Sequence, residues 1–139
     1  MQLVDANVLL HAVNVDVAEH EAARRFLEQA LRGGRPVGFA WIVLLAFMRV
    51  GTSTAFPAPL TVQKATDFVG SWLAANSVVV QPTSRHLHLL RGLLLESGTA
   101  GNLTSDAHLA ALALEHGAEV VTFDRDFGRF PGLKWRLPV

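Results

Sequence analysis

Four aspartates carry the chemistry this chain is equipped to do. Asp5 closes a short apolar start, Met1-Gln2-Leu3-Val4, and is followed two residues on by Asn7. Asp106 opens an amphipathic stretch, Ser105-Asp106-Ala107-His108-Leu109, and Asp124 and Asp126 follow a second apolar run, Val120-Val121-Thr122-Phe123. Each stands where a strand would end or a helix begin. In an open parallel sheet those points meet at the carboxyl edge of the strands, where ligands bind. Carboxylates held together repel one another unless a cation sits among them. Oxygen-only ligands suit a hard ion, Mg²⁺ or Mn²⁺. An ion held this way polarises a phosphoryl oxygen and lowers the pKa of a bound water, so the chemistry to expect is attack on a phosphate ester.

The elements that must position these groups are legible from periodicity. Residues 3–5 read as a strand end that turns into a helix through Val8, Leu9 and Leu10. Residues 18–31 place Ala22, Ala23, Phe26, Leu27 and Ala30 at helical spacing, and Gly33-Gly34 stops them. Residues 36–41 read as a buried strand, 42–50 as a helix, and 52–59 as a loop rich in Pro, Ser and Thr. Thr61 is placed to cap a helix to about residue 75. Ser77-Val78-Val79-Val80-Gln81 is a β-branched strand closed by Pro82. Ser84 is placed to cap a helix to about residue 96, and 97–102 reads as a flexible loop. Residues 104–116 read as a helix stopped by Gly117, 119–123 as a strand, and the last eight residues as a final short strand. Strands alternating with helices predict an α/β fold, a central parallel sheet flanked by helices, in one domain spanning 1–139.

Composition narrows the class. A chain of 139 residues, half of them hydrophobic, is the size of one domain with a proper core. No apolar run reaches the ~18 residues of a membrane span, and no basic segment precedes the apolar start, so no signal peptide or membrane is expected and the expected location is cytoplasmic. The absence of cysteine removes disulfides and thiolate metal sites. Net charge is zero, unlike a strongly basic nucleic-acid binder, but clustered aspartates would leave the remaining surface basic. Ten of the twelve basic residues are arginine, the better bidentate phosphate ligand, although codon usage alone accounts for such a bias in a GC-rich genome.

Other polar residues take supporting roles. Asn7 is placed to bind a phosphate, to fix Asp5, or simply to make a turn. Of Thr104 and Ser105, one is expected to cap the helix and the other to bind a ligand; Thr122 is placed to face the same pocket. Arg49, Arg125 and Arg129 are candidate phosphate contacts. Histidine metal chemistry is not expected: His86 and His88 fall on different sides of a helix, and His108 and His116 lie about two turns apart. Trp41, Trp72 and Trp135 read as core or interface.

Taken together, the residues resemble the PIN-domain ribonucleases, and within them the VapC-type toxins of bacterial toxin–antitoxin pairs. Val4-Asp5-Ala6-Asn7-Val8 is similar to the opening strand and first acid. Leu44-Leu45-Ala46-Phe47-Met48-Arg49 is similar to the second motif. Asp106-Ala107-His108-Leu109 is similar to the third acid at a helix start, and Thr122-Phe123-Asp124-Arg125-Asp126-Phe127 to the fourth. The resemblance spans the chain, and the order and spacing of the motifs make it specific. It implies Mg²⁺ or Mn²⁺ held by Asp5, Asp106 and Asp124, with Asp124 or Asp126 orienting the attacking water. It also implies RNA as substrate, products with 3′-hydroxyl and 5′-phosphate ends, a VapB-like antitoxin and a homodimer.

One position departs. The family usually has a glutamate three residues before the arginine of the second motif, and here that position is Ala46. The same stretch resembles a sub-branch with Trp-x-x-Leu-Leu-Ala-Phe-x-Arg, and either way the site is short of one negative charge. Asp126 is the nearest substitute in sequence. The loss predicts weak metal binding, and it opens a second class of function, a degenerate domain that grips RNA or a protein without cutting. A haloacid-dehalogenase-type phosphatase is disfavoured, because it wants Asp-x-Asp after the first strand and Asn7 takes the second place. For the dimer, Phe47, Met48, Phe56, Leu60 and Trp72 are the apolar residues expected to be left incompletely buried.

Overall fold

The computed structural model describes residues 1–139. The chain runs β1 (Gln2–Val4), α1 (Ala6–Val13), α2 (His20–Arg32), β2 (Val37–Phe39), α3 (Trp41–Gly51), α4 (Val62–Ala74), β3 (Ser77–Val79), α5 (His86–Ser97), α6 (Thr104–His116), β4 (Glu119–Val121) and β5 (Trp135–Arg136). Short 3₁₀ turns cover Gly101–Leu103, within the stretch expected as flexible loop, and Arg125–Arg129. The five strands form one sheet in the order β3-β2-β1-β4-β5, every pair parallel.

That order decides where a site can form. The chain winds outward from β1 through β2 to β3, then crosses back to start again at β4 on the other side of β1. Between β1 and β4 the winding reverses, and the crevice beyond their carboxyl ends is the place where a doubly wound sheet binds ligands. The register sets Leu3 beside Val120 and Val4 beside Val121, so Asp5 and Thr122 come next, level with each other. The central strands bury both faces, as a sheet covered by helices on both sides requires: Leu3, Val4, Val120 and Val121 have no exposed surface. α6 lies against the sheet through Ala107, Ala110, Ala111 and Ala113, small enough for close approach, and ends on Gly117 in the left-handed conformation (φ 60°), as expected.

Thr61 caps α4 as its sequence position predicts, its hydroxyl accepting from the Lys64 N–H at 3.1 Å. The predicted caps of α5 and α6 are corrected. Neither Thr104 nor Ser105 caps α6, which runs on directly from the preceding 3₁₀ turn. Ser84 does not cap α5, which has no side-chain N-cap; its start is held instead by a residue distant in sequence. The Glu115 carboxylate, with no exposed side-chain surface, accepts from the Thr83 N–H at 2.9 Å, the Thr83 hydroxyl at 2.6 Å and His86 Nδ1 at 2.5 Å. An ionised carboxylate only accepts, so His86 Nδ1 carries a proton. The far nitrogen of that ring lies 2.8 Å from His108 Nδ1, tying the start of α5 to the middle of α6. The negative charge also sits where the dipole of α5 favours it.

Burial pushes the Glu115 pKa up, but the hydrogen bonds from Thr83 and His86 outweigh it and hold the carboxyl below its ordinary value of 4.5. Its contribution to stability is therefore complete above that value and is lost as pH falls through the lower native pKa. Glu115→Ala is expected to cost about 1–3 kcal/mol in urea denaturation at pH 7, the range for hydrogen bonds to a charged group. A midpoint unchanged from the parent would show that these contacts carry no stability.

The apolar residues expected to lie exposed are largely core. Phe47 has no exposed surface, Phe56 and Trp72 are 7% and 6% exposed, and Met48 and Leu60 are half-buried. Phe68 and Trp72 of α4 pack ring on ring with Phe39 and Phe47, which is why Phe47 and Trp72 are covered. Exposed apolar side chains lie instead on α3 (Trp41, Ile42, Leu45), α5 (Leu87, Leu95) and the edge strand β3 (Val78, Val79). No helix is long and apolar enough to cross a membrane.

Candidate active site

The crevice between β1 and β4 holds the aspartates. Asp5, one residue past β1, anchors its backbone by donating its N–H to Val121 O at 3.0 Å. Both its carboxylate oxygens are placed by hydrogen bonds. Oδ1 accepts from the Ala6 N–H at 2.7 Å, which starts α1. Oδ2 accepts from the Thr122 hydroxyl at 2.8 Å and from Asn7 Nδ2 at 3.2 Å. Asn7 also donates from Nδ2 to Thr122 Oγ1 at 3.0 Å and accepts the Phe123 N–H at 3.0 Å. Of the roles open to Asn7, the geometry therefore favours fixing Asp5, because its amide is taken up by these contacts.

Thr122 is fully buried at the end of β4, and its hydroxyl oxygen also accepts the Asp124 N–H at 3.0 Å. One hydroxyl thus links Asp5 to Asp124. Asp124 Oδ1 in turn accepts the Asp126 N–H at 2.9 Å and starts the 3₁₀ turn. Asp106 reaches the crevice from the first turn of α6, where the helix dipole favours its charge.

A cavity of about 330 Å³ opens there, and its walls include Asp5, Asp106, Ser105, Ala46 and Arg49. Ala46 faces the acids, so the methyl group stands where the acid of the second motif is missing. Ile42 and Leu45 of α3 complete an apolar wall. Asp126 is exposed, and its charge still bears on Asp106. Arg129 provides the opposing pull on Asp106. Thr104 and Arg125 are exposed and do not line the cavity.

The crowding shows in the acids. Burial, then the charges of Asp5, Asp124 and Asp126, push Asp106 from 3.8 to about 6. Burial also raises Asp5, with Asp124 adding to the rise, against the hydrogen bonds from Thr122 and Ala6. These are carboxylates gathered with too little positive charge to balance them. The donor set is all oxygen, the chemistry that suits a hard divalent cation, although no three of the acids are grouped as ligands of a single ion.

The apolar wall of α3 had no distinct signal in sequence. Residues 41–48 are eight consecutive apolar side chains, of which one face, through Val43, Leu44 and Phe47, meets the core. The signal available was the excess itself, since one helix face cannot bury all eight.

A parallel sheet with acids converging at its winding reversal is the architecture of the PIN domain. The sequence model of the PIN-domain family matches residues 3–133, and the chain belongs to that family. Among curated relatives it is similar to Ribonuclease VapC37 of Mycobacterium tuberculosis, at 51% identity over 99% of this chain and 97% of the relative. Ribonuclease VapC33 of the same species is 36% identical, over 100% and 99%. Among solved structures, the fold is similar to M. tuberculosis VapC20, described as a Sarcin-Ricin loop cleaving toxin, with a TM-score of 0.72 and 18% identity over 96% of this chain and 99% of that one. VapBC2 from Rickettsia felis, bound to a DNA fragment from its promoter, aligns with a TM-score of 0.72 and 17% identity, over 98% and 97%.

Proposed function

We propose that this protein is a cytoplasmic endoribonuclease toxin of the VapC type, dependent on Mg²⁺ or Mn²⁺ and neutralised by a VapB-like antitoxin. The observation that carries the reading is the convergence of Asp5 and Asp106 on one cavity, with Asp124 joined to Asp5 through Thr122. Full-length similarity to proteins named ribonucleases supports the reaction class.

Asp5, Asp106 and Asp124 would hold the cation, which when bound supplies Lewis acidity toward a phosphodiester and an activated water. The chain's own residues do the rest. Thr122 and Asn7 lock the orientation of Asp5. Asp124 or Asp126 orients the water for in-line attack, and Arg49 and Arg129 bind phosphate. Arg129, Arg125 and Thr104 all stand outside the cavity wall, but only Arg129 acts on Asp106 through its charge, so Arg125 and Thr104 have the weaker claim to substrate contact.

Cleavage of total bacterial RNA with Mn²⁺, abolished by excess EDTA, tests the proposal; cleavage that persists in EDTA would overturn it. Ala46 in the cavity wall favours a second reading, a degenerate domain that binds without cutting. Binding with no cleavage at any Mn²⁺ concentration would select it.

Thr122→Val keeps the shape and removes the hydroxyl that joins two acids. It is expected to lower cleavage on the order of tenfold to a hundredfold, the usual cost of losing a partner behind a metal ligand. Equal rates for variant and parent would remove Thr122 from the machinery.

A homodimer belongs to the same reading. Its support is the exposed apolar surface of α5, where Leu87 and Leu95 are 74% and 66% exposed beside Leu90 and Leu94. Light scattering reads the stoichiometry, and a monomer at micromolar concentration would refute it.

A further inference from the structure

The apolar wall of α3 ends in an exposed tryptophan that the chemistry described above does not use. Trp41 is the first residue of α3 and is 46% exposed, although its sequence context reads as core or interface. It stacks on no other aromatic ring, whereas Trp72 is enclosed by Phe39, Phe47 and Phe68. The parallel register pairs Leu3 with Gly38, which brings Ala40 level with Asp5 and sets Trp41 immediately beyond, on the edge of the sheet that carries the acids. Trp41, Leu45 and Arg49 are spaced four apart on α3, and all three are exposed. Leu45 and Arg49 line the acidic cavity, so the stripe they form with Trp41 runs along its rim. From Trp41 to Arg49 the helix rises about 12 Å, the reach of a dinucleotide.

We propose that this stripe is a track for single-stranded RNA, with Trp41 stacking an unpaired base beside the phosphate that is cut. Arg49 would hold a backbone phosphate at the other end of the track, and Leu45 would pack against the sugar between them. Charge favours this occupant. Arg49 lines the cavity that Asp5 and Asp106 share, and the charge of Arg129 acts on Asp106; cations beside the aspartates suit a polyanion drawn across a cation site. The indole offers a π-face to any base, so the contact selects unstacked RNA rather than a particular sequence. The inference rests on the ribonuclease reading and names the form of its substrate.

The test compares parent, Trp41→Ala and Trp41→Phe. Two measurements are made on each: cleavage of total bacterial RNA with Mn²⁺, and binding of a fluorescein-labelled single-stranded RNA 12-mer of mixed sequence in EDTA, read by anisotropy. An exposed side chain leaves folding intact on truncation, and thermal melts check this. For Trp41→Ala the expected result is weaker 12-mer binding and a higher KM, each on the order of tenfold, with kcat little changed and both effects largely restored in Trp41→Phe. Unchanged binding and KM in an active Trp41→Ala protein would overturn the stacking role and leave the ribonuclease reading standing. If the parent fails to cut but binds the 12-mer through Trp41, the ribonuclease reading falls and the track stands. If Trp41→Ala instead changes the oligomeric state in sedimentation while RNA binding is unaltered, the stripe is a protein interface and the proposal is overturned.

Discussion

Asp106→Asn is expected to reduce RNA cleavage about a hundredfold or more and, in the same protein without metal, to raise the melting temperature by a few degrees at pH 7.5. Both effects follow from one geometry. In its proposed role as metal ligand, Asp106 should matter at least as much as the groups behind such ligands, whose loss costs about 10–100-fold. Without a cation, its charge is a liability. Its pKa of about 6 lies above the ordinary 3.8, so between those values the folded protein binds more protons than the unfolded chain. Stability then falls as pH rises through that window, and the penalty is fully expressed above about pH 6. Asp106 is partly exposed, so solvent screening limits the gain on neutralisation to roughly 1–2 kcal/mol. Asparagine lacks the charge, and its advantage should vanish below about pH 4, where the aspartate is protonated in both states. Adding Mg²⁺ should reverse the order of melting, because only the parent binds the ion well and is stabilised by it. Scanning fluorimetry at pH 4 and pH 7.5, with and without Mg²⁺, reads all of these outcomes. A metal-free variant that melts no higher than the parent at pH 7.5 would contradict the crowding of the acids.

Ala46→Glu is expected to tighten Mn²⁺ binding by about tenfold or more and to lower the metal-free melting temperature at neutral pH. Ala46 lines the cavity that Asp5 and Asp106 share, and it is half-buried on α3. A carboxylate there adds a hard oxygen ligand for the ion, and with the ion absent it adds one more charge to a cluster already short of positive charge. The two effects have opposite signs and one origin, which separates a restored ligand from a general change in stability. Isothermal titration with Mn²⁺ measures the first and a thermal melt in EDTA the second. Unchanged affinity would mean that the introduced carboxylate turns away from the acids. If the parent is a binding module without catalysis, the substitution is also the change expected to confer cleavage.

Several features could be read directly from residue order. Asp5, Asp106 and Asp124 each follow a strand or open a helix, and parallel winding brings such points to one edge whatever the details of packing. Gly117 ended its helix because a left-handed residue was needed there, and Thr61 capped α4 because its partner lies three residues away. These signals are local, and the chain carries them wherever it goes. Where a helix start is held from a distance, local signals do not show it. Ser84 stood at a plausible start of α5, but Glu115, some thirty residues further on, holds that start through Thr83 and His86. His86 and His108 have no histidine partner at ligand spacing on their own helices, and their contact crosses from one helix to another.

What the sequence determined by itself is the class of fold and the identity of the acids, because alternating periods of two and 3.6 and the residues that end them are properties of consecutive positions. Tertiary structure decided which apolar residues became core and which became surface. Along α3 the sequence offers eight apolar residues in a row, and nothing in their order says that Phe47 has no exposed surface while Trp41 is 46% exposed. That choice is made by what packs against the helix. Helices α1 and α4 pack against it, and the side toward the acids is left as the wall and rim of a cavity. Packing also decided that Thr122 supports Asp5 and holds Asn7 in place beside it, since those hydrogen bonds join residues 117 and 115 positions apart. Such contacts exist only once β1 and β4 lie side by side, so their physical cause is the pairing of strands and not the order of residues along the chain.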